Sequence, residues 1–479
     1  MAEYTRLVDK QQVFGVIVGT RGFFNPAHAA NAREEALKRL DELGYKYLIM
    51  PKDATSNGAV ETLQEAQKYA RFFREHQDEI DGLIVILPNF GDEQGVVETI
   101  SRARLDVPVL VQACNDEPDK VSIKERRDSY CGKISVTNNL YQYGIPWTDT
   151  SRHTCDIGSD VFANDLDYFA RVCRVVRGLT GARIGAIGAR PAPFHTVRYS
   201  EKLLQSNGIT VVTVDLSDIL AAASKLDNNA EEVKKKLEEV RGYGKIPGEI
   251  LDANVMKQVK LGVAIDHWMD ENQCDASAIQ CWSSVQNNYG CATCLSMSMM
   301  GERLMPSACE TDVTGVVSMY ALALATGNAP GFLDWNNNYG DDQDMVVGTH
   351  CSNYPKSFVG DDIEISNLDV LGEALGKERS FGAIKGKVAP GPFTFFRMST
   401  DDRLGMNRAY VGEGEFTDDP FPMDGGIAVC RVKNMREMLR YITKNGFEHH
   451  VAMARGHYSG VLEEAISSYL DWDLYVHET

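Results

Sequence analysis

The strongest constraint on the fold is the alternation of short apolar runs with amphipathic stretches over the first half of the chain. FGVIVG (14–19) precedes a stretch with apolar residues at helical spacing, AHAANAREEALKRLDELG (27–44), and the alternation continues through DGLIVILP and VPVLVQA. Strands that alternate with helices in this way predict a parallel sheet with helices on both faces. Ligands gather at the carboxyl ends of such strands, where Arg21, Asn89 and Asp116 occur.

A second α/β region begins near Arg183. RIGAIGARPAPFH is typical of a strand that runs into a glycine-rich turn, ITVVTVDL (209–216) of the next strand, and TDVTGVVSMYALALATG (311–327) of a buried helix. The glycine spacing is G-x-x-G, and prolines follow it, so the pattern does not match the G-x-G-x-x-G of dinucleotide-binding proteins. The region is therefore predicted to be a Rossmann-like scaffold without a nucleotide cofactor.

Beyond about residue 355 the helical periodicity gives way to short alternating runs with glycine and proline between them, as in SFGAIKGKVAPGPFTFFRMS and NRAYVGEGEF. This pattern of short alternating runs predicts an antiparallel sheet or a small barrel. A chain of 479 residues exceeds one ordinary core. The predicted architecture is α/β: two Rossmann-like α/β domains (1–178 and 179–355) followed by a β-rich, barrel-like C-terminal domain (356–479).

Charge and composition narrow the function. The 49 basic and 68 acidic residues give a net charge of −19, which argues against nucleic acid or a membrane surface as partner. No apolar run is long enough to span a membrane, and the polar start MAEYTRLVDKQQ lacks the apolar core of a signal peptide. Eleven cysteines without an export signal suit free thiols in a reducing compartment. A cytoplasmic protein is expected.

Three polar residues in apolar surroundings are candidates for a metal site. Glu310 lies in MPSACETDVTGVV, Asp334 in GFLDWNN, and His450 follows His449 in GFEHHVAMARGHYSG. Carboxylates at strand ends converge at one edge of a sheet, and a histidine from another domain would complete a ligand set.

Each of these residues also has a structural interpretation. Glu310 and Asp312 suit helix capping, and Asp334 suits the opening of a turn. On a strand, His449 and His450 would point to opposite faces, so at most one of them would enter a shared cavity. No compact motif such as HExxH is present. Spacing alone therefore leaves both interpretations open.

Longer segments resemble a known family. SACETD, followed after a helix by LDWNN, resembles the metal-binding segment of L-fucose isomerases and their relatives, and HHVAMARGHYSGVL resembles their closing motif. RRDSYCGKISVTNNLYQYGIP (126–146) and GKVAPGPFTFFRMS resemble further segments of the same proteins. The chain is thus similar, in patches along nearly its whole length, to the L-fucose/L-arabinose isomerase family.

The resemblance implies a metal-dependent aldose–ketose isomerase. Glu310 and Asp334 match the paired carboxylates, which bind the metal and catalyse proton transfer, and His450 matches the histidine ligand. The expected ion is Mn²⁺, with Co²⁺ or Mg²⁺ as alternatives. His457 matches a Gly-His near the site. Asp334 favours the fucose-type pattern, while His350 stays a candidate for the role of the additional histidine in the arabinose-type branch.

Other residues have two possible roles. Arg21 is expected to reach the substrate in a neighbouring subunit, because family members form homo-oligomers, with a hexamer as one form, whose active sites lie between subunits. Trp335 either stacks on the sugar or packs in the core. His195 and Arg198 either bind an anionic substrate group or stand at a helix start. Arg397 is expected to be a surface charge.

The expected reaction is isomerisation of a small-molecule sugar through an enediol intermediate, with a hydride shift as the rival mechanism. Candidate substrates are a pentose, a deoxyhexose or a modified hexose, such as arabinose, L-fucose or a sulfoquinovose-like sugar. Two other classes stay open. A non-catalytic sugar-binding or sensor protein would need no metal, and a metal-dependent sugar epimerase or lyase would use the same metal but form a different product.

Overall fold

The computed structural model describes residues 6–122, 124–350, 353–360, 363–423 and 425–478. They form two compact units. The N-terminal unit comprises Asp9–Arg177 with Glu464–Asp471, and the C-terminal unit comprises Gly178–Glu463 with residues 6–8 and 472–478. The division into three domains at residues 178 and 355 stays a prediction.

The N-terminal unit contains a five-stranded sheet with the order β2-β1-β3-β4-β5, and all of its neighbouring strands are parallel. Its strands are β1 (Val13–Val18), β2 (Lys46–Ile49), β3 (Gly82–Leu87), β4 (Val109–Ala113) and β5 (Thr148–Asp149). Its helices are α1 (Pro26–Glu42), α2 (Leu63–Glu75), α3 (Glu93–Ala103), α4 (Ser129–Gln142), α5 (Asp160–Thr180) and a π-helix (Glu464–Leu470). The π-helix belongs here because Glu464 accepts a hydrogen bond from Thr148.

Both faces of this sheet are covered. β3 and β4 are buried at every position. In β1, Phe14, Val16 and Val18 pack into one apolar cluster while Ile17 packs into another, as expected when successive side chains point to opposite faces. The prediction of a parallel sheet with helices on both faces is confirmed.

The C-terminal unit contains a second parallel sheet with the order β7-β6-β8-β9. Its strands are β6 (Arg183–Ile187), β7 (Thr210–Val214), β8 (Ala276–Ile279) and β9 (Ser307–Ala308), and the helices that accompany them are α6 (Glu201–Ser206), α7 (Leu216–Lys225), α8 (Glu231–Tyr243), α9 (Asp252–Glu271), α10 (Ser284–Asn288), α11 (Cys294–Glu302) and α12 (Val313–Thr326). β7 and β8 lie on opposite sides of β6, so the loops after β6 and β8 diverge. Such a switch point leaves a crevice at the strand ends.

Helix α12 is buried along its whole length of 14 residues. It packs against two strands of the third sheet, Gly391–Asp401 and His450–Arg455, as well as β8 of the parallel sheet. Burial on all sides explains why its sequence, VTGVVSMYALALAT, is apolar all round. No helix in the described part of the chain is long and apolar enough to cross a membrane.

The third sheet has nine strands in the order β12-β13-β16-β11-β10-β17-β14-β15-β18, and β15 also pairs with β16. That extra pairing closes six strands, all antiparallel to their neighbours, into a barrel. The strands are β10 (Gly331–Asn338), β11 (Met345–His350), β12 (Glu364–Asn367), β13 (Phe381–Lys387), β14 (Gly391–Asp401), β15 (Met406–Thr417), β16 (Gly426–Arg431), β17 (His450–Arg455) and β18 (Asp473–Val476). The helices are α13 (Lys356–Val359), α14 (Asp369–Leu375), α15 (Met435–Asn445) and α16 (Ser459–Glu463).

The predicted β-rich, barrel-like region is therefore confirmed, and the α/β class with it. Two features were not anticipated. β13 pairs with β16, and β15 with β18, in parallel, so the sheet is mixed. The barrel also takes β10 and β11 from residues before 356. Asp334 consequently lies on a barrel strand next to the strand of His450.

Candidate active site

Glu310 lies at a sharp turn between β9 and α12. Glu310 and Thr311 both have left-handed backbone angles, with φ of 56° and 55°. Two such residues in succession are unusual for side chains larger than glycine and cost about 1–3 kcal/mol each, which is typical of functional sites. The carboxylate is buried, and its Oε1 accepts hydrogen bonds from Trp282 Nε1 at 2.9 Å and Cys281 Sγ at 3.3 Å. The turn and these two donors fix the direction of Glu310.

Asp334 and His450 face each other across the β10–β17 pair, where they are register partners. Directly opposite residues of antiparallel strands have neighbouring side chains on one face. His450 Nε2 lies 3.5 Å from Asp334 Oδ1. That oxygen is buried and accepts no hydrogen bond from any residue that the structure describes. A buried carboxylate oxygen without a donor is poorly stabilised unless a cation binds beside it.

The ring of His450 lies between Asp312 on its Nδ1 side and the two carboxylates of Glu310 and Asp334 on its Nε2 side. Its Nδ1 lies 2.8 Å from Asp312 Oδ2, and its Nε2 lies 3.8 Å from Glu310 Oε2. When Nδ1 donates its proton to Asp312, the lone pair of Nε2 faces Glu310 and Asp334. Carboxylate–histidine pairs of this kind orient histidine ligands in metal sites.

Arg397 holds Asp312 from the other side. It is fully buried and donates from Nη1 to Asp312 Oδ2 at 2.7 Å, from Nη2 to Asp312 Oδ1 at 3.1 Å, and from Nε to Glu448 Oε2 at 3.2 Å. Burial raises the pKa of Asp312, but Arg397 and His450 outweigh burial and hold this pKa well below its ordinary value. The expectation that Arg397 is a surface charge is wrong, because β14 directs it at the start of α12.

Two more histidines lie at the cluster. His350 Nε2 is 3.9 Å from Glu310 Oε2, and His449 Nε2 is 3.7 Å from Asp334 Oδ1. The expectation that at most one of His449 and His450 reaches a shared cavity is wrong, because β17 begins at His450 and strand alternation does not apply to His449. Burial lowers the pKa of His449 to about 4, and His450 adds to this effect. His449 is therefore uncharged at neutral pH.

The other residues singled out in the sequence lie elsewhere. His457 is exposed and lies 3.7 Å from Glu413 Oε2. Trp335 donates to the hydroxyl of Tyr410 and packs edge-on against Phe395, so its observed role is in the barrel core. Arg21 belongs to the N-terminal unit, where it forms ion pairs with Glu93 and with Asp92. Its expected action on a neighbouring subunit's substrate stays a prediction.

Asp312, Arg397 and Phe194 were not recognised as parts of the site. Asp312 has the N-cap role expected for ETD before an apolar helix, because it accepts a hydrogen bond from the Gly315 backbone at 2.8 Å. Its second role, toward His450, depends on a strand far away in sequence. Phe194, on the loop after β6, has its ring centroid 5.8 Å from that of His450. No local pattern marks this contact.

Among the described residues, three overlapping groups of side chains have ligand atoms within 4.8 Å of one another: Glu310, His350 and His450; Asp334, His449 and His450; and Cys281, Cys309 and Glu310. His450 is common to the first two. Carboxylates with imidazoles suit Mn²⁺, Co²⁺ or Mg²⁺ better than a thiolate-rich set does. His450 thus shares one group with Glu310 and another with Asp334, and these carboxylate and imidazole donors, with the unsatisfied Asp334 Oδ1, are of the kind that fit a divalent ion.

Comparison with protein families supports an enzyme. Residues 15–180 match the family model described as the fucose/sulfoquinovose isomerase N-terminal domain, and residues 348–477 match the L-fucose isomerase C-terminal domain. The second match includes the barrel strand that carries His450. The fold and these matches define the chain as a sugar isomerase, an enzyme that interconverts an aldose and a ketose.

Individual relatives agree. The chain is 28% identical over 385 residues to the sulfoquinovose isomerase of Priestia megaterium (strain ATCC 12872 / QMB1551), covering 79% of this chain and 82% of the relative. It is 27% identical over 378 residues to that of Alkalicoccus urumqiensis (78% and 81%) and 24% identical over 388 residues to that of Clostridium sp. (strain MSTE9) (78% and 81%). The chain belongs to the fucose-isomerase-like family, which confirms the resemblance seen in the sequence.

Proposed function

We propose that the chain is a divalent-metal-dependent aldose–ketose isomerase, with Glu310, Asp334 and His450 as its metal ligands. The observation that carries this proposal is the pairing of Asp334 and His450 across β10 and β17, where Nε2 faces a buried carboxylate oxygen to which none of the described residues donates a hydrogen bond. In a purely structural ion pair a buried carboxylate oxygen is normally hydrogen-bonded.

The bound ion would stabilise negative charge on the two adjacent sugar oxygens as a Lewis acid. The side chains carry the proton transfer. Glu310 and Asp334 approach His450 from different elements, one at a turn and one on a strand. In this proposal one carboxylate takes the proton from a sugar carbon and a carboxylic acid returns it to the neighbouring carbon, through an enediol.

The surroundings support such a reaction. Phe194 covers Trp282, His449 and His450 with ring centroids 5.6–6.0 Å away. Phe332 packs on His450 from the barrel with centroids 4.8 Å apart. Apolar rings around the histidine limit access of water, and charge interactions are stronger where water is excluded.

The sugar is proposed from chemistry and from the relatives. The candidates are a pentose, a deoxyhexose such as L-fucose, and a modified hexose; the relatives named above are sulfoquinovose isomerases, which puts sulfoquinovose-like sugars first. We also propose, on the family resemblance, a cytoplasmic homo-oligomer with active sites between subunits.

The test is aldose-to-ketose conversion by the chelator-stripped protein, with and without Mn²⁺, on a panel of neutral and anionic aldoses in D₂O. Ketose that forms only with metal and carries solvent deuterium supports the proposal with the enediol. Ketose without deuterium favours the hydride shift. An epimerised or cleaved product would favour the epimerase or lyase alternative over isomerisation. If no product forms and no metal binds, the metal centre is contradicted.

A further inference from the structure

A cavity of about 850 Å³ lies in the C-terminal unit beside the candidate metal centre. Its walls are the loop after β6 (188–199), the end of β14 with the turn that follows it (399–403), and the segment before β17 (445–448). Thr311 and Glu448 also line it, one residue from Glu310 and two residues from His450. The cavity has the size of small-molecule sites and lies at the carboxyl end of β6.

Four arginines line this cavity, and three of them form no ion pair with a carboxylate that the structure describes. Arg408 is paired with Asp401 at 3.2 Å. Within the described part of the chain, Arg190 donates to the backbone carbonyls of Pro191 and Ala192, at 2.9 and 3.1 Å, and Arg198 donates to the carbonyl of His195 at 3.2 Å. Like these two, Arg403 forms no ion pair within the described ranges of the chain.

The acidic residues of the cavity do not balance these charges. Glu448 is already bonded to Arg397 and Asp401 to Arg408. Asp402 is the remaining carboxylate of the lining. Three guanidinium groups thus share one carboxylate, in a chain whose net charge is −19. Because like charges in a concave site repel one another and attract anions, this local excess indicates an anionic ligand.

The position of Arg198 also separates its two possible roles. Helix α6 begins at Glu201 with Ser200 as its N-cap residue. Arg198 precedes the helix and closes the short turn His195–Val197, with an extended backbone. Arg198 therefore does not serve as the start of α6, and its other possible role, binding an anionic group of the substrate, is the one that fits its place on the cavity wall. Two or three guanidinium groups can bind the oxygens of one sulfonate or phosphate through parallel hydrogen bonds.

We propose that Arg190, Arg198 and Arg403 bind a sulfonate or phosphate substituent of the sugar, at the end opposite the carbons that react at Glu310, Asp334 and His450. The inference rests on the proposed function. It makes the substrate an anionic aldose and these three arginines determinants of its specificity. The reaction itself stays the same, since the anion is held apart from the carbons that exchange the proton.

The test compares one aldohexose in three forms: with the neutral 6-hydroxyl, with a 6-sulfonate and with a 6-phosphate. The proteins are the wild type, Arg190→Met, Arg198→Met and Arg403→Met, with Arg379→Met as the matched control, because Arg379 is exposed, pairs with Glu378 and does not line the cavity. Binding of the 6-sulfonated hexitol, which has no carbonyl and cannot isomerise, is measured by calorimetry on the same set.

The wild type should turn over one of the two anionic hexoses with a higher kcat/KM than the neutral hexose. Which of the two it prefers shows whether the site binds a sulfonate or a phosphate. Each cavity variant should lower the ratio of kcat/KM for the anionic to the neutral hexose, and affinity for the anionic hexitol, by roughly 10- to 100-fold; Arg379→Met should change neither. Preference for the neutral hexose, or equal loss on both substrates, overturns the inference while isomerisation stands. Hexitol binding that needs the arginines without turnover of any aldose supports the anion site and contradicts the proposed reaction.

Discussion

Asp312 Oδ2 lies 2.8 Å from Nδ1 of His450, across 138 residues of sequence. The same carboxylate caps α12 and receives two hydrogen bonds from the buried guanidinium of Arg397. The orientation of His450 therefore depends on a series of hydrogen-bonded charged side chains, from Arg397 through Asp312, that ends at the candidate metal centre.

We expect Asp312→Asn to lower metal affinity by roughly 10- to 100-fold, because the neutral amide no longer favours a proton on Nδ1 and a lone pair on Nε2. Calorimetric Mn²⁺ titration of the stripped protein measures this. Asp215→Asn is the control, because Asp215 also caps a helix, α7, by accepting a hydrogen bond from Ser217. Equal metal affinity in the two variants would contradict the orienting role of Asp312.

His450→Ala should weaken metal binding more than His449→Ala. His450 faces both Glu310 and Asp334, whereas His449 lies 3.7 Å from Asp334 and has no partner of the Asp312 kind among the described residues. The same titration ranks the two variants. The reverse order would move the proposed histidine ligand by one position.

Glu310→Gln should reduce turnover by about 100-fold or more with the fold retained, because the amide keeps its shape and still accepts a hydrogen bond from Trp282 but cannot exchange a proton. Ketose formation gives the rate, and circular dichroism checks the fold. Glu302→Gln serves as the control, since Glu302 bonds only to Ser357 among the contacts described. Full activity of Glu310→Gln would remove it from the catalytic pair.

Arg397→Met should lower the free energy of unfolding by about 3–5 kcal/mol at neutral pH, because two buried carboxylates lose their counter-charge. In the wild type the depressed pKa of Asp312 contributes stability above the unfolded pKa of about 4, and this is lost as pH falls through the lower folded value. In Arg397→Met the lowering effect of the guanidinium is lost, so burial should raise the pKa of Asp312.

The difference in unfolding free energy between wild type and Arg397→Met should consequently shrink as the pH is lowered from 7 toward about 4, where the buried carboxyl group takes up a proton. Urea unfolding at several pH values measures it, with Arg379→Met as the exposed control. A difference that does not vary with pH would show that lost packing, and not charge, causes the effect.

The sequence predicted those parts of the fold that depend on local periodicity. Strands β1, β3 and β4 are continuous apolar runs, and the helices between them repeat with helical spacing, so the parallel sheet was evident. The parallel pairings of β13 with β16 and of β15 with β18 were not, because strand partners far apart in sequence leave no local signal.

The site shows the same limit. Glu310, Asp334 and His450 were found from polar residues in apolar segments and from family resemblance, and their ligand role stays a prediction. Arg397 was misjudged, since a charged residue in an alternating strand is usually exposed and only the network with Asp312 and Glu448 explains its burial. The cavity arginines come from loops that no shared pattern connects.

The register of Asp334 with His450 limits how this region can change during evolution. A single-residue insertion or deletion inside β10 or β17 would turn one of the two side chains to the opposite face of the barrel wall. A change of length in the connection from β10 to β11, between Asn338 and Met345, lies outside the paired strands and leaves Asp334 opposite His450. Variation in chain length among isomerases of this kind should therefore fall in the connections and be absent from these two strands.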